Sequence, residues 1–453
     1  MRLINILGVK INIFTKKQAL IEIEKLIAGK GQHYLITANP EFILTAIEHD
    51  EEFFYILNKA DLSLPDGIGL KIAAWFMGKN LSRIAGADLV KNILELAEKQ
   101  GRKVTIFNWQ NGLSSEQDIK QILANQYSRL QAIVINIDRQ TIMPDDKLEL
   151  ARKFQPEIIF CTLGAPWQEK FIYHNLSKLL SVKLAIGVGG SFDFLTGKIK
   201  RAPKLFRVIG LEWLWRLLAL SLKYAFQKNR AEYFLQHRLR RIYNAVIVFP
   251  IKFFLWRFIL PFLYRPNVVC LLYKKENPPT IKNTIPLPPL SRGQLNPPAS
   301  PYQGGGSIPP TSLIRGKYKI LIVERKNNKN HWQLPQGGTD HEPLLKAGAR
   351  ELREEIGIDK FKPVAVFSNL HQFIFNEQMG KYGVLAKYQS GYKGQKQGLF
   401  IAEFLGQDQD IKINFWEHSA WRWVDSDDLV DQVHPIRKLS AKIFLEKFKQ
   451  VIE

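Results

Sequence analysis

Glu351, Glu354 and Glu355 stand in the run Arg350-Glu351-Leu352-Arg353-Glu354-Glu355-Ile356-Gly357-Ile358, and residues three and four apart share one face of a helix. Carboxylates packed so closely repel one another unless a cation neutralises them. A hard divalent ion such as Mg²⁺ takes carboxylate oxygens together with substrate phosphates, so the chemistry this run points to is metal-dependent hydrolysis of a diphosphate. The plainer alternative is the solvated face of a charged surface helix.

Gly337-Gly338 and Glu342 lie upstream of this run. Together the residues resemble the Nudix box, the signature of the Nudix hydrolases, in which a glycine and a glutamate precede Arg-Glu-aliphatic-x-Glu-Glu-x-Gly-aliphatic. Glu342 stands at the family distance before Arg350, but the loop after Gly337 is one residue short of the family spacing. Trp332-Gln333-Leu334-Pro335-Gln336-Gly337-Gly338, Tyr392-Lys393-Gly394-Gln395-Lys396-Gln397 and Trp421-Arg422-Trp423-Val424 resemble the branch of RNA pyrophosphohydrolases and dinucleoside polyphosphate hydrolases. The resemblance implies a Nudix α/β/α sandwich over residues 308–453. It also implies Mg²⁺ (or Mn²⁺) as cofactor and a nucleotide or RNA 5′ end as substrate. In that family Glu354 and Glu355 would bind metal, and Glu351 would act as base or further ligand. A later strand supplies one more carboxylate, for which Glu403 and Asp410 are the candidates.

A second set of polar and glycine residues recurs where apolar runs end. Thr37-Ala38-Asn39-Pro40-Glu41, Pro65-Asp66-Gly67, Gly164-Ala165-Pro166-Trp167-Gln168-Glu169 and Gly187-Val188-Gly189-Gly190 each close a β-rich run and precede a helical one. Asn39 and Asp66 are also good helix caps, and the glycines also suit tight turns. Their recurrence at successive strand ends nevertheless suggests one phosphate–sugar crevice, because ligands of open parallel sheets bind beyond the carboxyl ends of the strands.

These residues, with Arg83-Ile84-Ala85-Gly86-Ala87-Asp88 and Lys200-Arg201-Ala202-Pro203, resemble the successive motifs of the WecG/TagA/CpsF glycosyltransferase family across residues 1–245. The resemblance implies inverting transfer of a sugar, commonly of the N-acetylmannosamine type, from a UDP-sugar donor to a polyprenyl diphosphate-linked acceptor, with no metal or other cofactor. It makes Asp66 the candidate base for the acceptor hydroxyl. Thr37, Asn39, Arg83, Gln168 and Gly189 would line the donor site, and Arg201 would face the lipid-linked diphosphate. A carboxylate suits the first role because removing the proton as the new bond forms lowers the barrier, and an arginine suits the charge growing on departing UDP.

Holding these residues requires two folded bodies, and 453 residues suffice for two or three. Short β-rich runs alternate with amphipathic helical runs over residues 34–188, the pattern of an α/β, Rossmann-like, mainly parallel sheet. Residues 198–241 then interleave basic residues with Trp213, Trp215, Tyr224 and Phe226, predicting a basic amphipathic helical tail. Such a tail suits an anionic bilayer or single-stranded nucleic acid. Residues 246–276 are strongly apolar but interrupted by Pro250, Lys252, Arg257 and Pro261, favouring a membrane-interacting segment at the interface over a spanning or core helix. Residues 277–307 are rich in Pro and Gly and read as a linker.

A net charge of +22 favours polyanionic partners. Two distant cysteines exclude a disulfide framework or a cysteine zinc site, and the start of the chain lacks the apolar stretch of a secretory signal. The sequence therefore predicts a cytoplasmic bifunctional enzyme, peripherally attached to the inner face of the membrane. Two competing readings are an RNA 5′ pyrophosphohydrolase with a sugar-nucleotide-sensing domain, and a transferase bearing an inactive Nudix binding module.

Overall fold

The structure is a computed structural model describing residues 2–139, 145–203, 206, 240, 243–276, 318–376 and 390–452. The chain forms two units, one built mainly from Met1–Leu263 and the other beginning at Tyr264. The first opens with a hairpin, β1 (Leu3–Ile6) and β2 (Val9–Asn12), followed by six parallel strands. These are β3 (His33–Ala38), β4 (Leu62–Pro65), β5 (Val104–Trp109), β6 (Ala132–Ile137), β7 (Ile158–Cys161) and β8 (Leu184–Gly187), in the spatial order β4-β3-β8-β7-β5-β6.

Their apolar runs are nearly continuous because helices cover both faces of the sheet. Within β3 the period of two sends Ile36 to one core layer, with Phe53, Phe107 and Phe171, and Leu35 to the other, with Ile106, Phe160 and Ile186. The Gly86–Gln100 helix buries Leu89, Val90, Ile93, Leu94 and Ala97 along one stripe and stops at Gly101, which is left-handed at φ +66. Strands β4, β3, β8 and β7 are neighbours, so the loops leaving their carboxyl ends share one edge of the sheet.

The second unit is a mixed sheet of β9 (Tyr264–Lys275), β10 (Tyr318–Arg325), β11 (Trp332–Gln333), β12 (Gln336–Gly338), β13 (Phe361–Ile374), β14 (Gly394–Phe404) and β15 (His418–Asp425). Strand β9 is parallel to β14 and antiparallel to β10 and β12. Val268, Cys270 and Leu272 pack with Ala347, Leu352 and Ile356 of the Leu344–Ile356 helix. On the opposite face Val269, Leu271 and Tyr273 pack with Ala441, Phe444 and Phe448 of the Lys438–Ile452 helix. This is the expected α/β/α sandwich.

Its sheet begins at Tyr264, not at 308, so the last part of the 246–276 segment is a buried strand rather than a membrane-interacting one. The physical reason is that the run from Val268 to Tyr273 has a helix layer on each side and so is apolar throughout. The helix Asn244–Phe262 before it is 19 residues long with mean hydropathy 1.8, enough by length and composition to cross a membrane. Phe249, Phe253 and Trp256 nevertheless pack into the core of the first unit, while Ile251, Phe254, Phe258 and Phe262 are exposed. Residues 207–239 of the expected basic tail and the linker 277–307 lie outside the described residues.

Candidate active sites

Parallel pairing of β3 with β4 sets Ala38 opposite Pro65, and the Asp66 amide donates to the Ala38 carbonyl at 2.7 Å. Register alone therefore brings Thr37, Asn39 and Asp66 together. Gly67 has φ +148, and a Cβ there would meet Pro40 Cδ at 3.1 Å, so the chain turns tightly from Asp66 into the Ile68–Phe76 helix only because residue 67 is glycine. Asp66 Oδ2 accepts from the Gly86 amide at 3.1 Å, at the start of the Gly86–Gln100 helix, and Oδ1 lies 3.6 Å from Arg83 Nε. Thr37 and Ser191, both buried, line the same spot, each 3.7 Å from where a Gly86 Cβ would sit. The half-buried Arg201 pairs with Asp88 of the same helix at 2.9 Å.

Two expected donor-lining residues have structural duties. The Asn39 side chain caps the Pro40–His49 helix, accepting from the Phe42 amide at 3.0 Å. Gln168 is buried and turned inward. Its Oε1 accepts from the Gly164 amide at 3.1 Å and the Gly189 amide at 2.8 Å, while its Nε2 donates to Glu169 Oε1 at 2.6 Å. One side chain thus ties the loop after β7 to the loop after β8.

Glu169 is fully buried, and desolvation pushes its carboxyl up to about 8 against the opposing hydrogen bond from Gln168. Its Oε1 braces Gln168 by accepting from Nε2. Sequence reading passed over it because a glutamate in the first turn of a helix ordinarily faces solvent.

The second site is built on the Leu344–Ile356 helix. Arg350 donates to Glu342 at 3.0 Å, to Glu351 and Glu354 at 2.8 Å each, and to the Gly338 carbonyl at 2.7 Å. The shortened loop closes by placing Asp340 and His341 in the left-handed region, at φ +47 and +65, and Glu342 still reaches Arg350. Glu351 is buried beneath Gly337, where a Cβ would come within 2.0 Å of its carboxylate. Only glycine fits that position. Glu354 is half-exposed.

Glu355 is buried and accepts from the Gln336 amide at 3.0 Å. Beside it stand Glu417 and His418. Burial, then the Glu355 charge, push the Glu417 carboxyl up to about 7. The Asn414 side chain positions Glu417, donating to its carboxylate at 3.3 Å and accepting from its amide at 3.1 Å.

Glu417, not Glu403 or Asp410, is the later carboxylate that lies beside Glu355. Glu403 lies 3.7 Å from Lys275 and Asp410 pairs with Lys360 at 3.1 Å, away from the cluster. The available signal was the position of Glu417 just ahead of Trp421-Arg422-Trp423. Glu355 and Glu417, with ligand atoms within 4.8 Å of each other, are a carboxylate pair of the kind that fits a divalent cation.

Residues 4–223 match the Glycosyl transferase WecG/TagA/CpsF family and residues 311–446 match the NUDIX domain. The chain is 35% identical over 186 residues to the N-acetylglucosaminyldiphosphoundecaprenol N-acetyl-beta-D-mannosaminyltransferase of Bacillus subtilis, covering 40% of this chain and 70% of that protein. Similarity to the same enzyme of Staphylococcus aureus reaches 30% over 220 residues, covering 48% of this chain and 84% of that protein. The RNA pyrophosphohydrolase of Wolbachia pipientis is 36% identical over 145 residues, covering 31% of this chain and 87% of that protein.

Proposed function

Because the chain belongs to the WecG/TagA/CpsF glycosyltransferase family in its N-terminal half and carries a NUDIX domain after it, we propose that it transfers an N-acetylmannosamine-type sugar from a UDP-sugar to a polyprenyl diphosphate-linked acceptor, and separately hydrolyses a nucleoside diphosphate linkage. The observation supporting the first activity is the convergence of Asp66, Arg83, Thr37 and the Gly86 amide at adjacent strand ends. Asp66 takes the proton of the acceptor hydroxyl as the glycosidic bond forms. Arg83 offsets charge on the departing UDP. Gln168 acts by holding the loops at Gly164 and Gly189 rather than by touching the sugar. Radiolabelled transfer from a UDP-sugar to a polyprenyl diphosphate acceptor tests this reading, and unchanged transfer by Asp66→Asn would remove Asp66 from its role.

For the second activity the supporting observation is the meeting of Glu355 with Glu417 beside the Arg350 network. Glu351, Glu354, Glu355 and Glu417 are the residues that would hold Mg²⁺ or Mn²⁺. When bound, such an ion neutralises phosphate charge and lowers the pKa of a coordinated water. Glu351 would serve as base or further ligand, and Arg350 orients the carboxylates. The presence of all these groups supports a working hydrolase over a binding module. Its substrate class is a nucleotide or an RNA 5′ end. Mg²⁺-dependent phosphate release from such substrates should be lost in Glu354→Gln, and full retention would refute the metal assignment.

The setting we infer is the cytoplasmic face of the membrane. Ile72, Trp75 and Phe76 of the Ile68–Phe76 helix are exposed. They begin six residues after Asp66 and add to the exposed side of the Asn244–Phe262 helix, a pattern suited to interfacial attachment.

A further inference from the structure

The Ile68–Phe76 helix is apolar on both sides. Leu70, Ala73 and Ala74 are buried in the core, while Ile68, Ile72 and Trp75, spaced four and then three residues apart, share the other stripe. Trp75 is 70% exposed, and its ring meets that of Phe76 edge-on at 5.0 Å. The helix stops in a Schellman turn. Gly78 takes φ +69, its amide donates to the Trp75 carbonyl at 2.9 Å, and the Lys79 amide donates to the Ala74 carbonyl at 2.9 Å. The chain therefore doubles back along the helix, and Lys79 and Leu81 close a groove of about 490 Å³ with Ile68, Lys71, Ile72 and Trp75.

The charge of this groove is one-sided. Among the described residues no carboxylate lines it, and the ammonium groups of Lys71 and Lys79 have neither a hydrogen-bond nor an ion-pair partner. Lys252 of the Asn244–Phe262 helix is by contrast held by Glu48 at 2.9 Å. A Cβ on Gly69 would lie 3.6 Å from the Phe249 ring, so the helix of the groove rests on the helix that carries the exposed Ile251, Phe254 and Phe258. Two uncompensated cations above an apolar floor match a ligand that is anionic at one end and hydrocarbon at the other.

We propose that this groove binds an anionic phospholipid of the bilayer, its phosphate held by Lys71 and Lys79 and the first carbons of its acyl chains lying on Ile72 and Trp75. A soluble anion would engage the lysines and leave the apolar floor wet. A lipid uses both, and an exposed indole is at home where headgroup and hydrocarbon meet. The proposal rests on the interfacial setting inferred above and deepens it, giving the attachment a lipid preference and a fixed point five residues from Asp66.

The test uses the full chain and vesicles of phosphatidylcholine with or without phosphatidylglycerol. Sedimentation should be stronger with phosphatidylglycerol. Lys71→Ser with Lys79→Ser should weaken binding to the anionic vesicles about twentyfold, at roughly fivefold per lysine, and leave binding to phosphatidylcholine alone as it was. Both lysines are exposed, so the melting temperature should not move. Lys30 and Lys99, also exposed, stand just ahead of β3 and β5, at the opposite edge of the sheet from Asp66. Their joint replacement by Ser should cost less than about twofold. An equal loss from that pair, or release from the vesicles by inorganic phosphate at constant ionic strength, overturns the proposal and leaves the transferase reading intact. Loss of sugar transfer in detergent on replacing Lys71 and Lys79 overturns it too, giving the groove to the lipid-linked acceptor. Failure of the unmutated chain to bind either vesicle overturns the interfacial setting as well.

Discussion

At the strand-end crevice one carboxylate, Asp66, stands against one arginine, Arg83, whereas on the Leu344–Ile356 helix one arginine, Arg350, is shared among Glu342, Glu351 and Glu354. The first site is assembled by backbone register from segments spread over residues 37–201, and behind Gln168 the buried Glu169 has its carboxyl pushed up by desolvation. The second gathers most of its carboxylates on one helix and ties them through Arg350. A crevice of the first kind depends on loop placement. One of the second kind depends on charge balance.

The sharpest way to break this comparison is to exchange losses between the sites. Asp66→Asn should cut sugar transfer by about 10²–10⁴-fold, the range for a general base, and leave phosphate release from nucleotides unchanged. Glu355→Gln should do the reverse, which paired assays on the same preparations will show. Next in size is Gly337→Ala. Its Cβ would come within 2.0 Å of Glu351, so calorimetry should show the second unit losing about 1–3 kcal/mol from overpacking, with metal affinity reduced.

The third prediction concerns pH. Glu169 holds its proton up to about 8 in the folded chain and releases it near 4.3 when unfolded, so between these values the native state binds more protons. Stability of the first unit should then fall as pH rises, by at most about 1.4 kcal/mol per unit, with the full contribution present below the unfolded pKa and lost by the folded one. Glu169→Gln keeps an oxygen for Gln168 and should flatten the melting temperature between pH 5 and 8.5. The smallest effect is expected at the surface. Trp75→Ser with Phe76→Ser should lower sedimentation with vesicles of phosphatidylglycerol and phosphatidylcholine severalfold while leaving both activities in detergent unchanged.

Much of the second site was legible because its chemistry is local. Glu351, Glu354 and Glu355 sit within one turn, so a helical period of 3.6 is enough to bring them together. Glu417 was not, because its approach to Glu355 depends on the pairing of β15 with β10 and on the Asn414 turn. Strand β9 was hidden for a related reason. Its apolar run directly follows the apolar Asn244–Phe262 helix, and a short buried strand has no periodicity to separate it from helix.

In the first unit the alternation of strands and helices disclosed the sheet and the edge where Thr37 and Asp66 meet. Which way a strand-end side chain points was beyond it. Gln168 has the polarity of a ligand-contacting residue, yet its amide is spent on the backbone of Gly164 and Gly189.

The antiparallel pairing of Tyr318 with Lys275 makes the Pro-rich stretch an insertion within one sheet, not a bridge between two bodies. A protease nick there would yield fragments that remain joined through β9, much as complementing halves of a split protein do. Anyone isolating the hydrolase by truncation must keep the chain from Tyr264 onward, because a piece starting at 308 leaves its central strand on the transferase. In genetic terms, the seam between the two enzymes lies upstream of the segment that looks like the seam.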